Sequence, residues 1–238
     1  MFRPLLAALA AVTTLMTSPG AVADTTLASR LHAVAPDASP EVLTLAANAM
    51  TCALAHGMAP ANRLAVIDYS RPSTQPRLWV FDTRDKGRLL YRELVAHGKN
   101  TGDNVARHFS NEEGSLQTSL GLFRTMDTYV GGNGYSMRMD GLEPGFNDQA
   151  LKRYIVMHGA PYVNEGTARK LGRLGRSWGC PAVPRDQARV IDLAQATEAF
   201  VSKALRPHQL SPEARDYLQP RKRMTCYFSA DHHPESLA

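Results

Sequence analysis

The sequence holds only three cysteines, Cys52, Cys180 and Cys226, too few for a disulfide-built scaffold. It has no internal repeat and no low-complexity stretch, which excludes a solenoid and a disordered chain. Past the N-terminal region no apolar run is long enough to cross a bilayer. Basic residues are scattered apart from Arg221-Lys222-Arg223, and they do not alternate with aromatics as a single-strand nucleic-acid groove requires. The formal net charge of +5 therefore suits an acidic polymer or an anionic surface and gives no case for nucleic acid. His232-His233 lacks a third partner at ligand spacing, so no metal is expected.

What is present starts with a processing signal. Arg3 precedes a mostly apolar stretch, Leu5 to Met16, then Pro19-Gly20 and the small residues Ala21 and Ala23. This layout predicts an export signal spanning residues 1–23 and removed before Asp24, with membrane contact only during passage. Outside the cytosol cysteines tend to pair. An odd count leaves one thiol over, and the simplest parsing is a Cys52–Cys226 disulfide with Cys180 reduced. Cys52 as a buried free thiol in a helix is the alternative, and spacing does not choose between them.

Ser39-Pro40-Glu41 is a helix start, with a capping serine, a first-turn proline and an acidic residue at the positive end. Gly57 is a natural stop, so a helix is predicted over about 40–56 within an N-terminal helical segment, residues 24–60. Leu64 to Tyr69, Leu78 to Asp82 and Leu89 to Ala96 read as strands joined by short turns, hence an antiparallel sheet. Residues 98–118 read as loop. Ser119 to Thr125 and Tyr135 to Met139 flank a glycine-rich turn, and the apolar run Tyr154 to Met157 predicts a strand buried on both faces. A short helix is expected within 160–176, another over Asp186 to Ala196, and a last one opening at Ser211. The fold class is mainly β with flanking helices, with a catalytic domain over 61–200 and an extension over 201–238.

Two segments carry chemistry: His158-Gly159 at the end of the buried strand, and Gly175-Arg176-Ser177-Trp178-Gly179-Cys180-Pro181. A thiol becomes a nucleophile on losing its proton, and an imidazole beside it can take that proton and return it to a leaving amine. Gly179 permits a tight turn before the cysteine. Backbone N–H groups at such a turn can hold an oxyanion. By residue types alone, a buried structural cysteine and a satisfied core histidine are equally good readings.

The pattern His158-Gly159 followed by Ser177-Trp178-Gly179-Cys180 resembles the catalytic motif of the YkuD-like L,D-transpeptidases. Thr118-Ser119-Leu120-Gly121-Leu122-Phe123 is similar to that family's Thr-Pro-x-Gly-x-Phe strand, with Ser119 in place of proline. Val95 to Asn100, Gly134-Tyr135-Ser136, Gly141-Leu142-Glu143 and Gly175 to Val183 resemble a subgroup, the murein L,D-transpeptidase catalytic-domain family. The resemblance covers about residues 60–195. One departure is that Pro181-Ala182-Val183 replaces an apolar residue followed by arginine or asparagine. Arg176, Arg138 and Arg185 are the candidates to supply the missing polar contact.

The resemblance implies a curved β-sheet or sandwich with cysteine and histidine at one end, working without a cofactor in the periplasm. It implies that Cys180 attacks the diaminopimelate carbonyl of a peptidoglycan stem tetrapeptide and releases the terminal D-alanine. His158 then acts as base and acid, and the acyl group passes to an amine of a second stem or to water. The N–H groups of Gly179 and Cys180 are the expected oxyanion donors. Ser177 and Gly159 shape the loop and strand end. Trp178, Arg176, Tyr162, Tyr135, Arg138 and His97 are the candidate substrate contacts. Carbapenem-type inhibitors are expected to react with Cys180.

Overall fold

A computed structural model describes residues 26–58, 61–84, 87–187 and, as backbone only, 199–203. The chain opens with two helices, α1 (Leu27–Val34) and α2 (Pro40–Ala55). Thr26 caps the first through its side chain and Ser39 caps the second, whose first turn holds Pro40 and Glu41. These meet the orphan N–H groups and the positive end of each helix. The buried side of α2 is Val42, Leu43, Ala46, Ala47, Met50 and Ala53, spaced to form one apolar stripe. Gly57, at φ +90°, turns the chain out of the helix.

Eight strands come next in order, with one short helix among them. They are β1 (Arg63–Asp68), β2 (Leu78–Asp82), β3 (Arg88–Glu93), β4 (Gly121–Gly131), β5 (Gly134–Gly141), β6 (Val156–Ala160), α3 (Glu165–Leu171), β7 (Ala182–Pro184) and β8 (Ala199–Lys203). They form one sheet in the order β3-β2-β1-β8-β4-β5-β6-β7. The first three strands pair antiparallel as expected, while the sheet as a whole is mixed, because β1 pairs with β8 and β6 with β7 in parallel. Parallel neighbours require a crossover, and the one between β6 and β7 carries both α3 and the Cys180 loop. β8 lies between β1 and β4 and straddles the expected boundary at residue 200. Residues 1–25, Cys226, the helix expected from Ser211 and all but the first two residues of the helix expected over Asp186 to Ala196 lie outside the described residues.

Strand alternation sends side chains to two cores. Leu64, Val66, Trp79 and Phe81 face α1 and α2, whereas Ala65, Ile67, Leu78 and Val80 face a second cluster with Phe123, Met137, Met139 and Met157. The N-terminal helices thus share a core with the sheet. The two sheet edges also converge. Ala96, three residues beyond β3, exchanges backbone hydrogen bonds with Ala182 of β7 at 2.8 and 3.2 Å. Three residues reach no more than about 10 Å, so the sheet must curl until its edges are neighbours.

Leu43 is fully buried between α2 and the sheet. Leu43→Ala should lower the unfolding free energy by about 3 kcal/mol, read by chemical denaturation. The alkylation rate of Cys180 in the folded protein should stay unchanged.

Candidate active site

β6 is bonded on both sides, with His158 opposite Ser136 of β5 and Ala182 of β7. The His158 N–H donates to the Pro181 carbonyl at 3.3 Å. That bond joins the backbone of the histidine to the peptide following Cys180, so strand pairing brings together groups far apart in sequence. Among the described residues the two side chains share no hydrogen bond. The Cys180 Sγ lies 3.7 Å from the Tyr154 carbonyl. His158 is buried, and its Nδ1 is 3.1 Å from the Gly159 carbonyl. A carbonyl only accepts, so Nδ1 carries the proton and Nε2 holds the lone pair. Burial lowers the imidazole below its ordinary value, with the Gly159 carbonyl opposing, which keeps the ring neutral and basic near pH 7.

The loop before Cys180 is held from several directions. Ser177 Oγ donates to the Cys180 carbonyl at 2.6 Å and accepts from the Gly179 N–H at 3.1 Å. The Gly179 N–H, one of the two expected oxyanion donors, is thus engaged by Ser177 in this arrangement. The Cys180 N–H makes no hydrogen bond among the described residues and remains available. Gly179 sits at φ +125°, and a Cβ there would lie 2.9 Å from the Gln117 carbonyl oxygen. Gly98 packs as closely, since a Cβ would meet Gly179 Cα at 2.8 Å. Thr118 Oγ1 bridges the two segments, accepting from Gly98 N at 2.9 Å and donating to the Gly179 carbonyl at 3.1 Å. The His97-Gly98 and Thr118 motifs therefore form the seat on which the cysteine loop rests.

The remaining candidates divide by surroundings. Trp178 is 76% exposed and stands beside the nucleophile. Tyr162 packs on Gly175, where a Cβ would come within 2.5 Å of it. Its phenol is pushed up to about 12 by burial and by Cys180. Arg176 Nη1 contacts the Lys99 and Gly102 carbonyls and the Asp103 carboxylate at 3.0–3.1 Å, locking the cysteine loop to residues 99–103. Arg138 pairs with Asp127 and lies over the Tyr129 ring. Tyr135 donates to Thr128 Oγ1 at 3.2 Å. Arg185 is exposed, with its backbone against Gly159.

His97 is only 1% exposed. Its Nδ1 accepts from Arg77 Nη2 at 2.8 Å, and its Nε2 donates to the Gly102 carbonyl at 3.2 Å. Arg77 is fully buried, is held by the Val95 and Arg71 carbonyls, and stacks over Tyr69. Both His97 nitrogens are thus engaged in the support beneath the cysteine loop. Two residues outside the sequence candidates also belong to the surroundings of the sulfur. Tyr154 presents its carbonyl, and Arg153 binds the surrounding loop. Their only signal in the sequence is their position just ahead of the strand carrying His158.

Among the described residues no group of three or more His, Cys, Asp or Glu could hold a metal ion. Cys180 is a free thiol and Cys52 is in a disulfide; Cys226, the expected partner, lies outside the described residues.

Comparison with known proteins places this arrangement. The family described as "L,D-transpeptidase catalytic domain" matches residues 34–201. Among solved structures, an L,D-transpeptidase from Mycobacterium smegmatis is 14% identical, with 60% of this chain and 59% of that chain covered and a TM-score of 0.35. The LD transpeptidase LdtMt1 in complex with imipenem gives the same four values. The helical cell shape determining protein Pgp2 from Campylobacter jejuni is 15% identical, covering 66% of this chain and 56% of that chain, with a TM-score of 0.40. The matched region spans less than two thirds of each of these chains. Comparison with curated proteins gave no match.

Burial and the neighbouring Arg77 hold the His97 imidazole down at about 3, against an ordinary 6.5. Between those values the unfolded chain binds the proton and the folded one does not, so acid favours unfolding. Stability should therefore fall as pH drops from 6.5 towards about 3. His97→Asn should flatten that slope by about one proton relative to the parent, read from denaturation midpoints across the pH series.

Proposed function

We propose that this chain, which belongs to the L,D-transpeptidase catalytic-domain family, uses Cys180 to form an acyl-enzyme on a peptidoglycan stem peptide. The observation supporting it most directly is the His158 N–H bond to the Pro181 carbonyl, which ties the backbone of a neutral histidine to the residue after a free thiol. Cys180 Sγ turns from the Tyr154 carbonyl towards Nε2, and His158 takes the thiol proton. The thiolate attacks the diaminopimelate carbonyl of a tetrapeptide stem. The carbonyl oxygen gains the electron pair, and the Cys180 N–H donates to it.

Collapse of that intermediate breaks the bond to the terminal D-alanine, which leaves with the proton returned by His158. An amine of a second stem then displaces the sulfur, giving a 3–3 cross-link and regenerating the thiol. Water in the amine's place gives a tripeptide. Trp178 and Tyr162 flank the cleft as apolar surface for the stem, while Tyr135, Arg138 and Arg185 line its approach. Arg176 serves that surface by holding the loop in place. We place the reaction in the periplasm, reached through the signal expected over residues 1–23. Carbapenems, whose strained ring is an acyl donor, are expected to acylate the same sulfur.

Purified muropeptides decide the outcome. Cross-linked 3–3 dimers support transfer, tripeptides alone support the hydrolytic form, and neither product from folded, reduced protein defeats the reading. Cys180→Ser should abolish turnover and the mass increase caused by imipenem. His158→Ala should slow turnover at least about 100-fold. The base form of His158 must be present, so activity should fall with acid. Because burial lowers that imidazole, the fall should come below pH 6.5 in a pH–rate profile.

A further inference from the structure

The guanidinium of Arg153 is fully occupied at its two terminal nitrogens. Nη1 donates to the Ser110 carbonyl and to Ser119 Oγ, each at 2.6 Å. Nη2 donates to Ser115 Oγ at 3.1 Å and to the Gln117 carbonyl at 2.7 Å. All four acceptors are neutral, and no carboxylate pairs with Arg153 among the described residues. The positive charge is therefore immobilised without being cancelled. It lies against the nucleophile loop, with Nη2 3.6 Å from the place a Cβ would take on Gly179, the residue before Cys180.

We infer that Arg153 is a fixed cation that favours the thiolate of Cys180, and so a positioning residue for the nucleophile and not a substrate ligand. The inference rests on the reading of Cys180 as nucleophile. Its terminal N–H groups are taken, so it cannot grip a substrate carboxylate with two parallel hydrogen bonds. What remains is its field, which acts in a half-buried site with weak solvent screening.

The groups facing the sulfur make the need plain. From the turn ahead of β6 come Arg153 and the Tyr154 carbonyl, which accepts from the thiol and so favours its protonated form. From β6 comes the Val156 N–H, with His158 two residues further along the same strand. Tyr162 and Tyr69 approach from the following loop and the end of β1, each as a neutral phenol. Burial pushes the thiol up, and the Val156 N–H and Arg153 oppose it. Arg153 is thus the permanent cation acting on the sulfur, whereas His158, held neutral, supplies no charge until it has taken the proton.

The test is the pH midpoint of Cys180 alkylation by iodoacetamide, followed by mass spectrometry with Cys180→Ser as background and no substrate present. Arg153→Gln should raise the midpoint by about one unit, while Arg153→Lys should hold it within a few tenths. A second route leaves the arginine in place. Ser115→Asp puts a carboxylate on Nη2 and should raise the midpoint in the same direction, and Ser115→Asn, equally disruptive to the loop but uncharged, should not. If either folded charge variant keeps the parental midpoint, or if Ser115→Asn moves it as far as Ser115→Asp, the inference is overturned. Failure of the native thiol to react at any pH would instead sink the proposed nucleophile, so the two failures are distinct.

Discussion

The site depends on the parallel pairing of β6 with β7. Parallel strands cannot be joined by a tight turn, so the chain must leave the sheet after Ala160, travel through α3 and return at Ala182. The returning segment is where the cysteine lies. Its placement beside His158 follows from backbone hydrogen bonding, which is directional and short-ranged, and not from attraction between the two side chains. The two side chains keep separate hydrogen-bond partners, so it is the backbone that ties the two segments together.

Around that pairing the protein uses the absence of side chains as a positioning device. Gly98, Gly175 and Gly179 each lie where a Cβ would collide with backbone or with Tyr162. The cysteine loop is therefore pressed between the 98–103 segment and the residues near Gln117. Thr118, Ser177 and Arg176 then supply the directional bonds that fix its height and tilt. Beneath lies an unusual support, the buried Arg77 with His97 and Tyr69. Burial lowers the guanidinium to about 10, and carbonyl oxygens of the chain itself take its hydrogen bonds, as a buried charge demands.

Much of the fold was legible in the sequence because its signals were local. Ser39-Pro40-Glu41 and Gly57 bracketed α2 closely, and alternation or continuous apolar runs located β1, β2 and β5, whereas β6 starts at Val156 and leaves Tyr154, expected in the buried strand, exposed at φ +55°. Strand β7 has three residues and takes its identity from its partners, so no period could reveal it. The parallel pairings are long-range events with no local signature. At the site, the cysteine and the histidine were found through the resemblance of their motifs, while the roles of their neighbours were harder to read. Arg176 and His97 looked like cleft residues, but their hydrogen bonds hold the scaffold. Arg153 and Tyr154 passed unnoticed because nothing in their residue types distinguishes a fixed cation from a solvated one.

The curl of the sheet has a consequence for how copies of the protein meet one another. An open eight-stranded sheet would offer two rows of unpaired backbone groups for intermolecular strand addition. Here Ala96 and Gly98 occupy part of the far side of β7 and its approach, leaving β3 as the more accessible border. That border carries the exposed Arg88 and the Arg92–Asp37 ion pair, so a second molecule approaching edge to edge meets charged side chains before backbones can zip. The same bend that frames the cysteine thus leaves less of the sheet border open to strand addition.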